Sequence, residues 1–221
     1  MNNTLDNPFY YLKHFDTVLA WVHGRYFDLL DHSEIKFIEN FTALPTESRA
    51  LFVRMVMRKG SLFRASKLNY EEISDVQTAI KYLIELGWVE YDPLITIKQL
   101  FAVLTKKEIA HSLELSHDKA VANKLVLLEW AQAEFKQIKP FSAWYPVSAD
   151  ILYEIIITTL CDRIRLMFFG NLRQEWSEFV LSDLNIFIYE KVVFSPTSRS
   201  FNTRHEVDDY IYLHDCQQRF Y

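Results

Sequence analysis

The stretch from Glu47 to Gly60, ESRALFVRMVMRKG, and the stretch from Asn69 to Tyr91, NYEEISDVQTAIKYLIELGWVEY, decide how this chain folds. The first predicts a helix over Glu47–Lys59, closed by Gly60 as a C-cap. In the second, Asn69-Tyr70-Glu71-Glu72 is a helix-start signature. Ile73, Val76, Ile80, Leu83 and Ile84 then recur at helical steps up to Gly87. Trp88-Val89-Glu90-Tyr91 reads as a short strand before Asp92-Pro93. Three helices followed by a strand-like hook give the outline of a winged helix, an outline that other bundles share.

Helical periodicity extends outward in both directions. Asn7-Pro8 reads as an N-cap with Pro at the first helical position. Tyr11, Leu12, Phe15, Val18, Leu19, Val22 and Tyr26 then form one apolar face. Asp31 with Glu34 predicts a capping box ahead of Phe37, Ile38 and Phe41, and Leu44-Pro45-Thr46 is a break. A second unit begins near Leu94, with a capping box at Thr105 and Glu108 and a longer helix predicted over His117–Gln137. The run from Pro140 to Pro146 is the best linker candidate. Beyond it, Ile151, Leu152, Ile155, Ile156, Leu160, Ile164 and Phe168 predict one helix face that stops at Gly170. A last helix starts at a Thr203–Glu206 capping box and runs to Tyr221.

Composition narrows the function classes. The 221 residues are 50% hydrophobic and 24% charged, which suits one large folded domain or two small ones. Only 4 glycines occur, at positions 24, 60, 87 and 170, too scattered for a dinucleotide or nucleotide phosphate loop. The 2 cysteines, Cys161 and Cys216, form no C-x-x-C pair or disulfide framework, so a reducing, cytoplasmic setting is expected. The start, Met1 to Asp6, lacks a signal-peptide pattern, and charges interrupt every long apolar run, so no membrane span is expected.

The net charge is −5, yet Arg49, Arg54, Arg58, Lys59, Arg64 and Lys67 fall within residues 49–67 with no acidic residue among them. Arg54 and Arg58 stand four apart on the predicted helix, and guanidinium forks match phosphate oxygens. Against that stands a structural reading: cations at a helix C-terminus complement its dipole, and Arg stems pack along apolar surface. Composition alone balances the two. Tyr70, Tyr82, Trp88 and Tyr91 lie near the cluster and suit base stacking, although at this spacing core packing is the commoner use.

Other chemistry finds less support. Glu34-Ile35-Lys36 has the E-x-K spacing of metal-dependent nucleases, with Asp28 and Asp31 upstream. Such a site needs carboxylates converging on a divalent metal, and Asp31 and Glu34 are better explained as a helix cap. None of the 7 histidines forms an H-x-x-x-H pair, and no serine nucleophile elbow occurs. No catalytic and no metal-ligating residue is assigned.

The segment Leu51 to Gly60, with Leu62-Phe63-Arg64, Lys67-Leu68 and Tyr70-Glu71-Glu72-Ile73, resembles the N-terminal region of the Fanconi-associated nucleases, the VRR-NUC family. Tyr10-Tyr11-Leu12-Lys13 with Thr17-Val18-Leu19 is similar to the family's opening helix. The run from Phe168 to Leu181 is similar to its central motif, and Phe194 to Arg199 continues the match. The resemblance implies a structure-selective, divalent-metal-dependent nuclease of the phosphodiesterase I type acting near 5′ flaps and crosslinks. It implies a mainly α chain: a winged-helix-like DNA-binding region at 1–93, a SAP-like helical module and linker at 94–146, and the start of a TPR-like helical array at 147–221.

The SAP-like stretch lacks the glycine usual between its helices and keeps Lys106, Lys107, Lys119 and Lys124 as phosphate-contact candidates. The catalytic VRR-NUC domain with its P-D…E-x-K site is expected to lie outside this chain, in cis or in trans. Mg or Mn is therefore implied for the full-length enzyme and no cofactor for this chain, which is expected to be inactive alone. The expected partner is branched or flap duplex DNA, contacted by Arg54, Arg58 and Lys59, then by Arg64 and Lys67. Two other readings fit the same residues: a helical protein-interaction module, or a winged-helix transcription regulator.

Overall fold

The computed structural model describes residues 7–178 and 198–219. In chain order its elements are α1 (Tyr10–Tyr26), α2 (His32–Ala43), α3 (Thr46–Val56), β1 (Leu62–Arg64), a 3-10 turn at Ala65–Lys67, α4 (Val76–Glu85), β2 (Val89–Tyr91), β3 (Leu94–Ile95), α5 (Ile97–Val103), α6 (Lys106–Ser112), α7 (His117–Val121), α8 (Lys124–Glu134), β4 (Lys139–Pro140), α9 (Phe141–Trp144), β5 (Leu152–Ile155), α10 (Thr158–Phe169) and, after the second described stretch begins, α11 (Arg204–Arg219). The chain is mainly helical, as its periodicity predicts. Parts of two resemblance motifs, Phe179 to Leu181 and Phe194 to Thr197, lie outside the described residues.

Packing divides the chain into two compact units that cut across the linear division at 93 and 146. One comprises residues 1–59, 70–83 and 157–221; the other comprises 60–69 and 84–156.

The first unit is built on α1. Tyr11, Leu12, Phe15, Val18, Leu19, Val22 and Tyr26 are all buried, the same seven residues the 3.6-residue period selects. Phe15, Phe37, Phe41 and Phe52 gather beside them, with Phe15 and Phe41 ring centroids 5.0 Å apart. Trp176 closes on Phe15 at 4.9 Å. Offset and tilted ring pairs of this kind contribute beyond their buried area. α2 starts at the capping box expected there: Asp31 accepts from the Glu34 N–H at 2.9 Å, and Glu34 accepts from the Asp31 N–H at 2.9 Å. α3 ends at Val56, short of the predicted Lys59. The Arg58 N–H bonds back to the Met55 carbonyl at 3.1 Å, a tightened turn that ends the helix before Gly60.

The second unit holds an antiparallel sheet of order β1–β5–β2, with Phe63 opposite Tyr153 and Tyr91 opposite Tyr153. A second ladder pairs β3 with β4. The helices α5, α6, α8 and α9 enclose a core of Ile97, Leu100, Phe101, Ile109, Leu127 and Trp144. The buried Trp144 indole donates to the Ile95 carbonyl at 2.9 Å, satisfying its one polar group.

Three predicted helices are corrected here. The helix expected from Asn69 begins only at Val76, after Asp75 accepts from the Thr78 N–H at 2.9 Å. The helix expected over His117–Gln137 is two, α7 and α8, because Asn123 breaks the run and caps α8 by accepting from the Leu125 N–H at 2.9 Å. The helix expected from Ile151 begins only at Thr158. Leu152–Ile155 is instead the central strand of the sheet, since β1 and β2 on either side supply its backbone partners.

Candidate nucleic-acid interface

The five basic candidates are distributed over both units. Arg54, Arg58 and Lys59 belong to the first; Arg64 and Lys67 belong to the second.

Arg54 lies in the last turn of α3. Its Nε and Nη2 both meet Oε1 of Glu72, at 2.8 and 2.6 Å. The same oxygen accepts from the Tyr11 hydroxyl at 2.7 Å. The guanidinium carbon stands 4.1 Å from the Tyr11 ring centroid and 5.4 Å from that of Tyr70, within cation–π range. Burial works to raise the Glu72 carboxyl, but the Tyr11 and Arg54 hydrogen bonds outweigh it and hold the group below its ordinary value. Burial, with Glu72 alongside, pushes the Tyr11 phenol up. Arg54 is thus held within the fold.

Arg58 and Lys59 are different. Both follow α3 and are exposed. Arg58 Nη1 lies 3.4 Å from the Tyr70 hydroxyl, so Arg54 and Arg58 converge on one tyrosine. They do so without the shared helix face the sequence predicts, because α3 has ended by then.

In the second unit, Arg64 on β1 is enclosed. It donates through Nη1 and Nη2 to Glu108 at 2.9 and 2.7 Å and through Nε to Asp150 at 2.7 Å, with 10% of its side chain exposed. Asp150 also accepts from the Ser66 N–H at 3.0 Å and from its hydroxyl at 2.6 Å. Arg64 therefore ties β1 to the start of α6. Lys67, at the end of the 3-10 turn, is exposed.

Of the SAP-like lysines, Lys106 donates to the Val121 carbonyl at 3.0 Å and Lys124 to the Leu104 carbonyl at 2.9 Å. Lys119 lies 3.8 Å from the Trp130 ring centroid, and Lys107 is exposed. Trp88 is a core residue, whereas Tyr82 and Tyr91 are 41% and 56% exposed.

The residues with nuclease-like spacing do not fit a divalent metal. Glu34 is fully buried and accepts from Arg163 at 2.7 Å, Arg204 at 2.6 Å and the Asp31 N–H. Asp31 takes Arg204 at 3.1 Å, and Asp28 takes Arg199 at 2.7 Å. These carboxylates are matched to guanidinium groups. Among the described residues no group of three or more His, Cys, Asp or Glu is disposed to hold a metal ion. Sequence reasoning found the cap but missed Arg163 and Arg204, which lie 129 and 170 residues away and leave no local signal. Cys161 is buried and burial pushes its thiol up, the opposite of what a nucleophile needs. Among the described residues no helix is long and apolar enough to cross a membrane.

The fold and its basic turn define a helical, helix-turn-helix class of protein, and comparison with known proteins narrows it. Residues 9–90 match the family described as FAN1, HTH domain, and residues 94–144 match the Fanconi anemia-associated nuclease SAP domain. A Fanconi-associated nuclease 1 homolog of Pseudomonas aeruginosa is 49% identical over 216 residues, covering 98% of this chain and 39% of that protein. Its homolog in Schizosaccharomyces pombe is 26% identical over 91% of this chain and 33% of its own length. A crystal structure of paFAN1 bound to 2-nt 5′-flap DNA with a gap superposes with a TM-score of 0.92 at 49% identity, over 97% of this chain and 39% of that one. The chain belongs to the Fanconi-associated nuclease family and corresponds to the N-terminal portion of those relatives, spanning 39% of the length of the bacterial one.

Proposed function

We propose that this chain is the DNA-binding portion of a structure-selective nuclease of the phosphodiesterase I type. It grips branched or 5′-flap duplex while a VRR-NUC domain, in cis or in trans, makes the cut. The observation that carries the reading is the likeness to paFAN1 in complex with 5′-flap DNA, at 49% identity and a TM-score of 0.92. Arg58, Lys59 and Lys67 are the phosphate contacts, since their side chains are exposed. Arg54 and Arg64 act in the fold, through Glu72 and through Glu108 with Asp150. Phosphate contacts set register and affinity, not sequence preference, which suits recognition of a DNA shape.

Hydrolysis would then draw on Mg or Mn held by the VRR-NUC domain, a group that would supply activation of water and charge stabilisation there. The two free cysteines support a reducing, cytoplasmic compartment. The test is a binding titration on 5′-flap, nicked and plain duplexes at several salt concentrations. Salt-dependent binding with a flap preference is expected. Absence of salt-dependent binding would instead favour a protein-interaction module, and preference for one duplex sequence would favour a transcription regulator.

A further inference from the structure

We infer that Glu72 is an internal competitor for phosphate that keeps Arg54 out of the chain's electrostatic contact with DNA. The inference rests on the DNA-binding reading above and assigns a residue that lowers the grip instead of adding to it.

By sequence, Arg54 belongs with Arg58 and Lys59. By geometry it does not. A guanidinium binds phosphate best through two parallel N–H groups presented as a fork. In Arg54 one such edge, Nε with Nη2, is already closed on Oε1 of Glu72 at 2.8 and 2.6 Å. The Tyr11 and Tyr70 rings lie against the guanidinium at 4.1 and 5.4 Å. Glu72 cannot swing aside easily: its side chain is 8% exposed, and the Tyr11 hydroxyl holds the same oxygen at 2.7 Å. An arriving phosphate would have to displace a carboxylate that is itself anchored. The Arg54 side chain is nonetheless 30% exposed, so a guanidinium released from Glu72 is within reach of solvent and of a DNA backbone.

Counterion release registers this difference. Each phosphate neutralised by a protein cation adds about 0.9 to the magnitude of the log K against log salt slope. A cation already neutralised by its own carboxylate adds nothing. Arg58 and Lys59 are exposed to an arriving phosphate; Arg54 adds nothing while Glu72 is ionised.

The test is Glu72→Gln, which keeps an oxygen for Tyr11 and Arg54 but removes the charge. Binding to a 5′-flap duplex should tighten at low salt, and the slope should steepen by about 0.9. The double variant Arg54→Gln with Glu72→Gln should return to the wild-type slope. Glu71→Gln removes an exposed carboxylate next in sequence and should leave the slope unchanged, which separates competition at Arg54 from a general change in net charge. An unchanged slope in folded Glu72→Gln overturns the inference, as does equal steepening in Glu71→Gln. Should Glu72→Gln fail to fold, Arg54→Gln alone decides: an unchanged slope supports the inference, and a slope flatter by about 0.9 overturns it. Wild-type protein that shows no salt-dependent binding defeats the DNA-binding reading and this inference together. Wild-type binding with an unresponsive Glu72→Gln defeats the inference alone.

Discussion

Arg64 and Glu108 stand 44 residues apart in sequence and meet as a two-point pair, Nη1 to Oε2 at 2.9 Å and Nη2 to Oε1 at 2.7 Å. Glu108 is also the third residue of the α6 capping box, accepting from the Thr105 N–H at 2.7 Å. One carboxylate thus closes a helix start and fixes a strand.

Removing the arginine should therefore be felt in stability. Arg64→Ala leaves Glu108 and Asp150 without their shared cation, and hydrogen bonds to charged groups are each worth about 1.5–3 kcal/mol. A loss of about 2–3 kcal/mol is expected in chemical denaturation. A variant as stable as wild type would show that the pair contributes little.

The same pair sets an acid response. Arg64, followed by the Thr105 bonds, pulls the Glu108 carboxyl from 4.5 to about 2. Its folded value lies below its unfolded one, so its contribution is complete above about 4.5 and is lost as pH falls toward about 2. Asp150 is lowered as well: burial opposes this, but the Ser66 and Arg64 bonds prevail. Stability measured between neutral pH and that range should fall more steeply in wild type than in Arg64→Gln.

DNA affinity should divide the basic candidates. Arg58→Ala, Lys59→Ala and Lys67→Ala should each flatten the salt slope by about 0.9, whereas Arg64→Ala should leave it unchanged in protein that remains folded. Titrations at several ionic strengths read this directly.

Gly170 supplies a backbone test. It ends α10 with a φ of +73°, and a Cβ placed there would stand 2.5 Å from the Ser200 Oγ. Gly170→Ala should cost on the order of 1–3 kcal/mol by thermal melting, the range for a residue held in a sparsely populated backbone region. Ser200→Ala in the same chain should recover part of the loss by removing the closest atom.

Given a 5′-flap substrate with Mg or Mn, the purified chain should bind and not cut. The carboxylates nearest to a nuclease spacing, Asp28, Asp31 and Glu34, are committed to Arg199, Arg204 and Arg163. Metal-dependent products that vanish in Glu34→Gln would contradict this.

Local pattern carried the α1 face and the caps at Asp31 and Thr105, because each depends on residues three or four apart. A further capping box, at Thr96 and Gln99, is equally local in its signal. The strand Leu152–Ile155 was not legible. Its apolar spacing suits a helix, and only the neighbouring strands make extended backbone preferable. The basic cluster was visible as charge, but the division of its members was not. Glu72, Glu108 and Asp150 select which cations are held, and they lie 18, 44 and 86 residues from their arginines.

The β1–β5–β2 order also has a bearing on assembly and on engineering. The strand that joins the sheet's two outer members is the last of the three to be synthesised, so β1 and β2 remain unpaired edges until Ile155 has emerged. Tyr91 and Tyr153 stand opposite each other in the register, and the helices α5 to α9 leave and rejoin the sheet at that point. The helical module is therefore a loop insertion with adjacent ends. Replacing it with a two-residue turn would convert β2 and β5 into an ordinary hairpin, but it would also uncover Leu152 of β5 and leave Arg64 of β1 without Glu108, so the module is part of what holds the sheet.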